Sequence, residues 1–446
     1  MTNPPSVADV DLYNPATQQD WYPTYQLLRD EAPVYRVPNT NMYVESRYAD
    51  VMHVLRHQDI FPTGAAASRS RAALAVYETK GWPRMTPLSV NPPDHRKYRQ
   101  LIDGFFDPAG ATHWQPFIEA TIDELIDSFV ADGTTEFSSA FALPLPVRVI
   151  THILGFPAAD IPQLKEWSSA WVLPFAGGLS DEQEVWVAEQ VVAFHHYIAE
   201  QIAQKRLDPK DDVLTALTHA SFDGQRPLTD HEIITIADHL YIGGNETTTF
   251  ALTSAMWLML REPGLYERLR EKRELVDVFL EEAMRLESPT QGLFRRVAIE
   301  TSIAGVSLAA GAVVHIRYAA ANRDEQMFPN ADRVDLGRPN GKRHMAFSLG
   351  EHLCPGHGLS RLEQKLALNA LLDRLGNLQL TDDRNDFAHQ PGFVLRALER
   401  LQISWTAAEP ARRPRQPSEP PANQRSNIGR RPLHTSSTMS PLGGCT

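Results

Sequence analysis

The sequence predicts a mainly α-helical protein with small β-sheets, and three observations carry that expectation. Apolar residues recur at the three-to-four-residue spacing of amphipathic helices through most of the 446-residue chain. Strand-like stretches are short and gather in small groups around glycines, so they can build only small sheets. No repeat of fixed period interrupts the pattern, and a hydrophobic content of 42% suits a globular protein with a sizeable core.

Along the chain, residues 21–32 and 48–55 read as amphipathic helices, with 34–37 and 42–45 as a hairpin between them. Residues 62–92 lack clear periodicity and are expected to form a long loop, which at that length is usually functional or disordered. Ala65, Ala66, Ala67, Tyr77 and Trp82 would let it line an apolar pocket. Helices are expected at 95–106, 116–131, 146–154, 182–206, 230–261, 264–272 and 274–286. Breakers at 104–108, Gly155-Phe156-Pro157 and Glu262-Pro263-Gly264 stop them. Strands follow at 297–303, 306–308 and 313–316, turning at Gly305 and Gly311. A helix at 359–375 and strands at 378–380 and 401–405 complete the body. Past Trp405 the composition turns to proline, arginine and serine, and apolar periodicity stops. Such a segment cannot bury enough surface to offset its ordering entropy. The chain therefore divides into one domain, 1–405, and a tail expected to be disordered, 406–446.

The net charge of −12 argues against a non-specific nucleic-acid binder. No run of about 18 apolar residues exists to span a bilayer, and no charged-then-apolar leader opens the chain. A soluble, cytoplasmic protein in a reducing compartment is expected. With only Cys354 and Cys445, a disulfide framework is not the reading.

Cys354 sits in the string Phe347-Ser348-Leu349-Gly350-Glu351-His352-Leu353-Cys354-Pro355-Gly356. A lone cysteine is most often an inert core residue. This one has glycines four before and two after it, which let backbone approach something flat and bulky. A helix starting just beyond would stabilise a thiolate. The combination points to a metal ligand, with haem iron held by thiolate as the strongest candidate.

Four further strings carry less weight singly. Gly243-Gly244-Asn245-Glu246-Thr247-Thr248 lies mid-helix, where each glycine costs about 1 kcal/mol relative to alanine. The glycines signal either close helix packing or a bent, opened turn beside a ligand, with Glu246 and Thr247 exposed to it as a proton relay. Glu282-Ala283-Met284-Arg285 sets an acid and a base on one helix face. Arg323, in Ala321-Asn322-Arg323-Asp324, is its natural third partner, and a buried ion triad needs every partner satisfied. His95 and Arg99 share one face of a helix opened by Asn91-Pro92-Pro93 and would grip an anionic group such as a haem propionate. The bland readings are a kink, a solvated pair, a charged loop and a basic turn.

Together, from about Tyr13 to Trp405, the motifs resemble a bacterial soluble cytochrome P-450. The resemblance implies the cytochrome P-450 fold and haem b (iron protoporphyrin IX) as cofactor. Cys354 would be the axial thiolate, with Phe347 beside the sulfur and Gly350 and Gly356 letting the loop hug the ring. His352, His95, Arg99 and Arg296 would hold the propionates. Arg295 is the alternative, favoured by its spacing from Gly305 where the Arg-x-Ala pattern favours Arg296. Gly243 and Gly244 would open room for dioxygen, Thr247 would hydrogen-bond the oxygen and deliver protons, and Glu246 would connect that site to solvent. Glu282, Arg285 and Arg323 would form a structural triad. Ser348, Pro355 and Asn91 stand where the family commonly has glycine, leucine and aspartate. Pro355 lacks an N–H and is expected to tune the reduction potential without loss of haem.

The implied reaction is monooxygenation of a hydrophobic small organic substrate. One oxygen atom of O2 enters the substrate and the other leaves as water, with electrons from NAD(P)H through a ferredoxin-type donor and its reductase. Arg96, Lys97, His357, Arg361 and Lys365 would offer an acidic redox partner a weak, salt-sensitive surface. Peroxide-driven oxidation and oxidative coupling on the same scaffold are alternatives, and a haem-based sensor is an alternative of another class. The intact Glu246–Thr247 pair favours oxygen chemistry. Pocket-lining candidates are 62–92, 171–179, Ile242, 291–294, Phe393 and Val394, with Arg69, Arg71 or Arg84 as possible inward-pointing selectors of a carboxylate.

Overall fold

The helix Asp230–Arg261 is the spine of the protein. It starts where expected because Thr229 accepts from the Glu232 amide while the Glu232 carboxylate accepts from the Thr229 amide at 2.8 Å, a reciprocal cap. It ends before Gly264, whose φ of 72° turns the chain away. A helix apolar nearly all round belongs in a core, and this one packs against Pro144–Leu154, Asp181–Leu207, Val276–Leu286 and His357–Arg374. The computed structural model describes residues 6–64, 70–81 and 90–407.

The sheets are small and lie beside this helical body. The largest has four strands in the order Val34–Arg36, Met42–Glu45, Val313–Ile316, Leu293–Arg296, with only the middle pair parallel. Leu375–Leu380, Gln402–Ala407 and Thr134–Glu136 make a three-stranded antiparallel sheet. Ser221–Phe222 with Arg226–Pro227, and Thr301–Ile303 with Val306–Leu308, are hairpins.

Several expectations need correction. Of the strand expected at 297–303 only Thr301–Ile303 forms, and a separate strand, Leu293–Arg296, precedes the expected span. The amides of Val297 and Ala298 donate to Ala312 and Ile60 carbonyls at 2.8 Å, which draws the chain out of the first sheet. The stretch 62–92 contains the helix Arg71–Lys80, capped by Ser70. It buries Ala73, Val76 and Tyr77 against Val187, Val191 and Val192, and its run of small alanines hides the period. Arg71 on this helix is exposed, so it does not point inward. Ala65, Ala66, Ala67, Arg69, Trp82 and Arg84 lie outside the described residues. Helices Ile161–Val172 and Val213–His219 were not expected. The strand Gln402–Ala407 carries the body two residues past Trp405, and the remainder of the expected tail lies outside the described residues. Among the described residues, no helix is long and apolar enough to cross a membrane.

Candidate active site

The Cys354 loop is held from both ends. The Cys354 amide donates to the Phe347 carbonyl at 2.9 Å, and His357–Arg374 begins three residues on, with Gly356 before its first turn. The loop turns through left-handed backbone at Ser348 (φ 58°) and Gly350 (φ 73°). Serine is tolerated at the first of these positions with its hydroxyl bound by the Tyr318 O–H at 3.0 Å. Phe347 and Ala346 pack against Ala251 of the spine and Met284, with Leu353 and Cys354 against the same cluster. Arg361 lies over the Phe347 ring at 4.4 Å and donates to Glu281 at 2.6 Å, where His344 also binds at 2.9 Å. Burial would raise the Glu281 carboxyl, but His344 and Arg361 bring it down to about 2. Burial pushes the Cys354 thiol up, against the Gly356 amide, Arg99 and Arg361. A cation on the sulfur is what would hold it as thiolate.

Beside this loop lies a group of cationic and imidazole side chains lacking acceptors. The rings of His95 and His352 stand 4.0 Å apart. Both nitrogens of His95, Nε2 of His352 and Nε of Arg295 are buried without a hydrogen-bond partner. Burial, then His95, Arg295 and Arg99, push the His352 imidazole down to about 3. Buried polar groups are normally paired, so this cluster calls for an anion rich in acceptor oxygens. Among the described residues, no group of three or more His, Cys, Asp or Glu side chains can hold a metal ion by itself. A metal reaching Cys354 must therefore bring its other ligands with it. Iron in a macrocycle bearing two carboxylates meets both requirements, and these residues fit haem b.

Strand alternation turns the two candidate arginines opposite ways. Arg295 is buried toward the cluster, while Arg296 is exposed. Arg99 is present, but its Nη1 donates to the Leu353 carbonyl at 2.7 Å and its Nε to Asp103 at 2.6 Å. It braces the cysteine loop through the backbone.

The spine presents one open stripe. Between Glu232 and Met259 every residue is buried except His239, Gly243, Gly244, Thr247 and Phe250. His239, Gly243, Thr247 and Phe250, spaced by four, four and three, share one face. Gly243 faces open space, but a Cβ on Gly244 would meet Ile150 at 2.8 Å. Gly244 is thus a packing glycine against Pro144–Leu154 and does not open room for a ligand. The expected opened turn is absent, since the helix is continuous and the Thr247 hydroxyl donates to the Gly243 carbonyl at 3.1 Å. Glu246 does not share the open face. It is buried against Ile161–Val172, ion-paired with Lys165 and accepting from the Ser168 hydroxyl at 3.0 Å. Sequence reasoning missed this helix, although Ile161, Leu164, Trp167 and Trp171 carry its period after an N-terminal proline.

The third partner of Glu282 and Arg285 is Arg338. Arg285 donates to Glu282 at 2.9 and 3.0 Å, and Arg338 at 3.0 and 3.1 Å. Arg323 instead reaches Glu287 at 3.1 Å and Asp332 at 2.8 Å, because its helical turn points it toward the end of Val276–Leu286. Of the pocket-lining candidates, Ile242 belongs to the core, and Gln291 is bound by the Tyr25 O–H at 2.6 Å. Phe294 and Phe393 stack at 6.1 Å.

Among the described residues, a single thiol packed with Ala251 of the core helix, beside imidazole and guanidinium nitrogens that lack acceptors, fits a haem-thiolate protein. The cytochrome P450 profile matches residues 147–402. Cytochrome P450 107B1 of Saccharopolyspora erythraea is 31% identical over 406 residues, covering 89% of this chain and 98% of that one. P450BioI, solved in complex with hexadec-9Z-enoic acid ligated acyl carrier protein, superposes with a TM-score of 0.80 at 29% identity, covering 88% of this chain and 99% of that one. CYP109E1 from Bacillus megaterium, solved with testosterone, gives 0.78 at 27% identity, covering 88% and 100%. The chain belongs to the cytochrome P450 family, whose members bind haem b through a cysteine thiolate, and it is a P450 monooxygenase.

Proposed function

We propose that this protein inserts one oxygen atom of O2 into a hydrophobic small organic substrate, using electrons from NAD(P)H delivered by a separate ferredoxin-type donor and its reductase. The observation that carries the reading is Thr247, a hydroxyl on the open stripe, one residue from the buried acid Glu246. Bound haem supplies the redox centre at which dioxygen is reduced and cleaved. Cys354 would hold its iron as a thiolate, with Phe347, Gly350 and Gly356 shaping the loop around the sulfur. His95, His352 and Arg295 would bind its carboxylates through nitrogens that have no other acceptor. Thr247 holds a proton on Oγ1, now given to the Gly243 carbonyl, and can redirect it to an oxygen on the open side. Glu246, held by Lys165 and Ser168 on another face of the helix, would have to release them before it could pass a proton toward Thr247.

The electron donor docks beside the cysteine loop. A depression of about 640 Å³ there is lined by Leu55, Arg56, His95, Arg96, Arg99 and Glu351 among others. Arg96 is paired with Glu351, Lys97 with Asp94 at 3.3 Å, Arg361 with Glu281 and Lys365 with Asp277 at 2.8 Å. An acidic partner competes with these bonds, which makes its contact weak and salt-sensitive. A cytoplasmic setting fits such soluble donors. The substrate reading draws on Phe294, Phe393 and Trp171, and on relatives solved with an acyl chain on its carrier and with a steroid. Residues 1–405 are the haem domain, extended by the strand that ends at Ala407.

The test is spectral and then kinetic. The reduced carbon-monoxide complex should show the thiolate-type band, and Cys354→Ser should lose it. With surrogate ferredoxin and reductase, Thr247→Ala should keep consuming NAD(P)H while product falls. An unchanged band in Cys354→Ser, or unchanged coupling in Thr247→Ala, sinks the corresponding assignment.

A further inference from the structure

His239 is a polar side chain on the open stripe that the mechanism leaves without a task. It lies two turns before Thr247 and one before Gly243. Its Nδ1 stands 2.9 Å from the Thr235 carbonyl, which can only accept. In the neutral ring Nδ1 therefore carries the proton, and Nε2 keeps its lone pair. The ring meets the edge of Trp171 at 5.5 Å, and Trp171 is itself fixed by its indole N–H on Asp238 at 3.2 Å. Asp238 also binds buried His195 at 3.3 Å. The imidazole is thus held from behind by its own helix and at its edge by Trp171 of Ile161–Val172, and Nε2 takes no part in the bond that orients the ring.

Between His239 and Thr247 the stripe offers only Gly243, which leaves space and no polar side chain. Eight residues of helix separate the two polar groups, about 12 Å along the axis. We propose that His239 is the anchor that selects and orients the substrate. The substrate is then an elongated apolar molecule with a hydroxyl or amine that donates to Nε2, set roughly that distance from the carbon presented at Thr247. This deepens the monooxygenase reading and rests on it.

The experiment uses the haem-loaded full chain and two probes, an androstane carrying a single terminal hydroxyl and the methyl ether of the same compound. Affinities are read from the substrate-induced shift of the haem absorption band. Wild type should bind the alcohol about tenfold more tightly than the ether, the worth of one buried hydrogen bond. His239→Phe keeps a ring against Trp171 without the acceptor and should bring the ratio to about one, while His239→Gln, whose amide oxygen accepts, should restore part of it. A ratio near one in wild type, including binding of neither probe, overturns the proposal, as does an unchanged ratio in His239→Phe. The reduced carbon-monoxide band is recorded on the same samples. Its presence with a ratio near one removes the anchor alone, and its absence removes the haem-thiolate reading and the anchor with it.

Discussion

Around Arg285 the buried polar atoms are answered, and around His352 they are not. Arg285 binds Glu282 twice and the carbonyls of Asn322, Ala331 and Arg333, while Arg338 closes the other side of Glu282. His95 and Arg295 are buried as well and His352 partly so, but each has a buried nitrogen facing no acceptor. Both regions come from charged and aromatic residues in short motifs, so composition does not separate them. Closure does. A network that satisfies itself gives shape, and one left open is a receptor for what the chain does not supply.

The hardest blow to the closed region is Arg285→Ala. It leaves Glu282 buried with only Arg338 and the Asp335 amide and should cost about 3–5 kcal/mol in denaturant unfolding. A loss under about 1 kcal/mol would show that the region is not closed. A histidine outside both networks calibrates the cost of an open nitrogen. His389 has an unpartnered Nε2, and burial, then Arg396, push it down to about 4. Its folded pKa lies below the unfolded 6.5, so its contribution is complete above that value and is lost as pH falls toward about 4. The loss should reach roughly 2–3 kcal/mol. Thermal unfolding of wild type against His389→Phe across that window checks it, the variant giving the flatter profile. The smallest effect belongs to the open region. Replacing His95 and His352 with phenylalanine should leave the haem-free protein as stable or more so, yet weaken haem binding about tenfold. Equal loss in both states would mean that the histidines are structural.

Much of this was legible because some signals are local. The reciprocal cap at Thr229 and Glu232 and the breaker after Arg261 fix the spine within the segment itself. The Cys354 loop is likewise one continuous string. What sequence could not give depends on distant partners. Arg338 rather than Arg323 completes the Glu282 pair because of where a loop without regular structure folds back. Arg295 rather than Arg296 faces inward because of strand pairing with Val314, and one residue of slip reverses the face. Ile161–Val172 was hidden partly because Ser168, at a core position, looks polar until Asn245 and Glu246 take its hydroxyl. Gly243 and Gly244 look alike in sequence and differ only through Ile150.

Arg285 also sets an order in time. The carbonyls it binds lie 37, 46 and 48 residues further along the chain. At about 5–20 residues per second they leave the ribosome several seconds after it does. Until then the guanidinium has only Glu282 and water, and the helix Val276–Leu286 has no finished wall to close against. Translation halted in that interval would yield a chain with most of its helices and an unsealed centre.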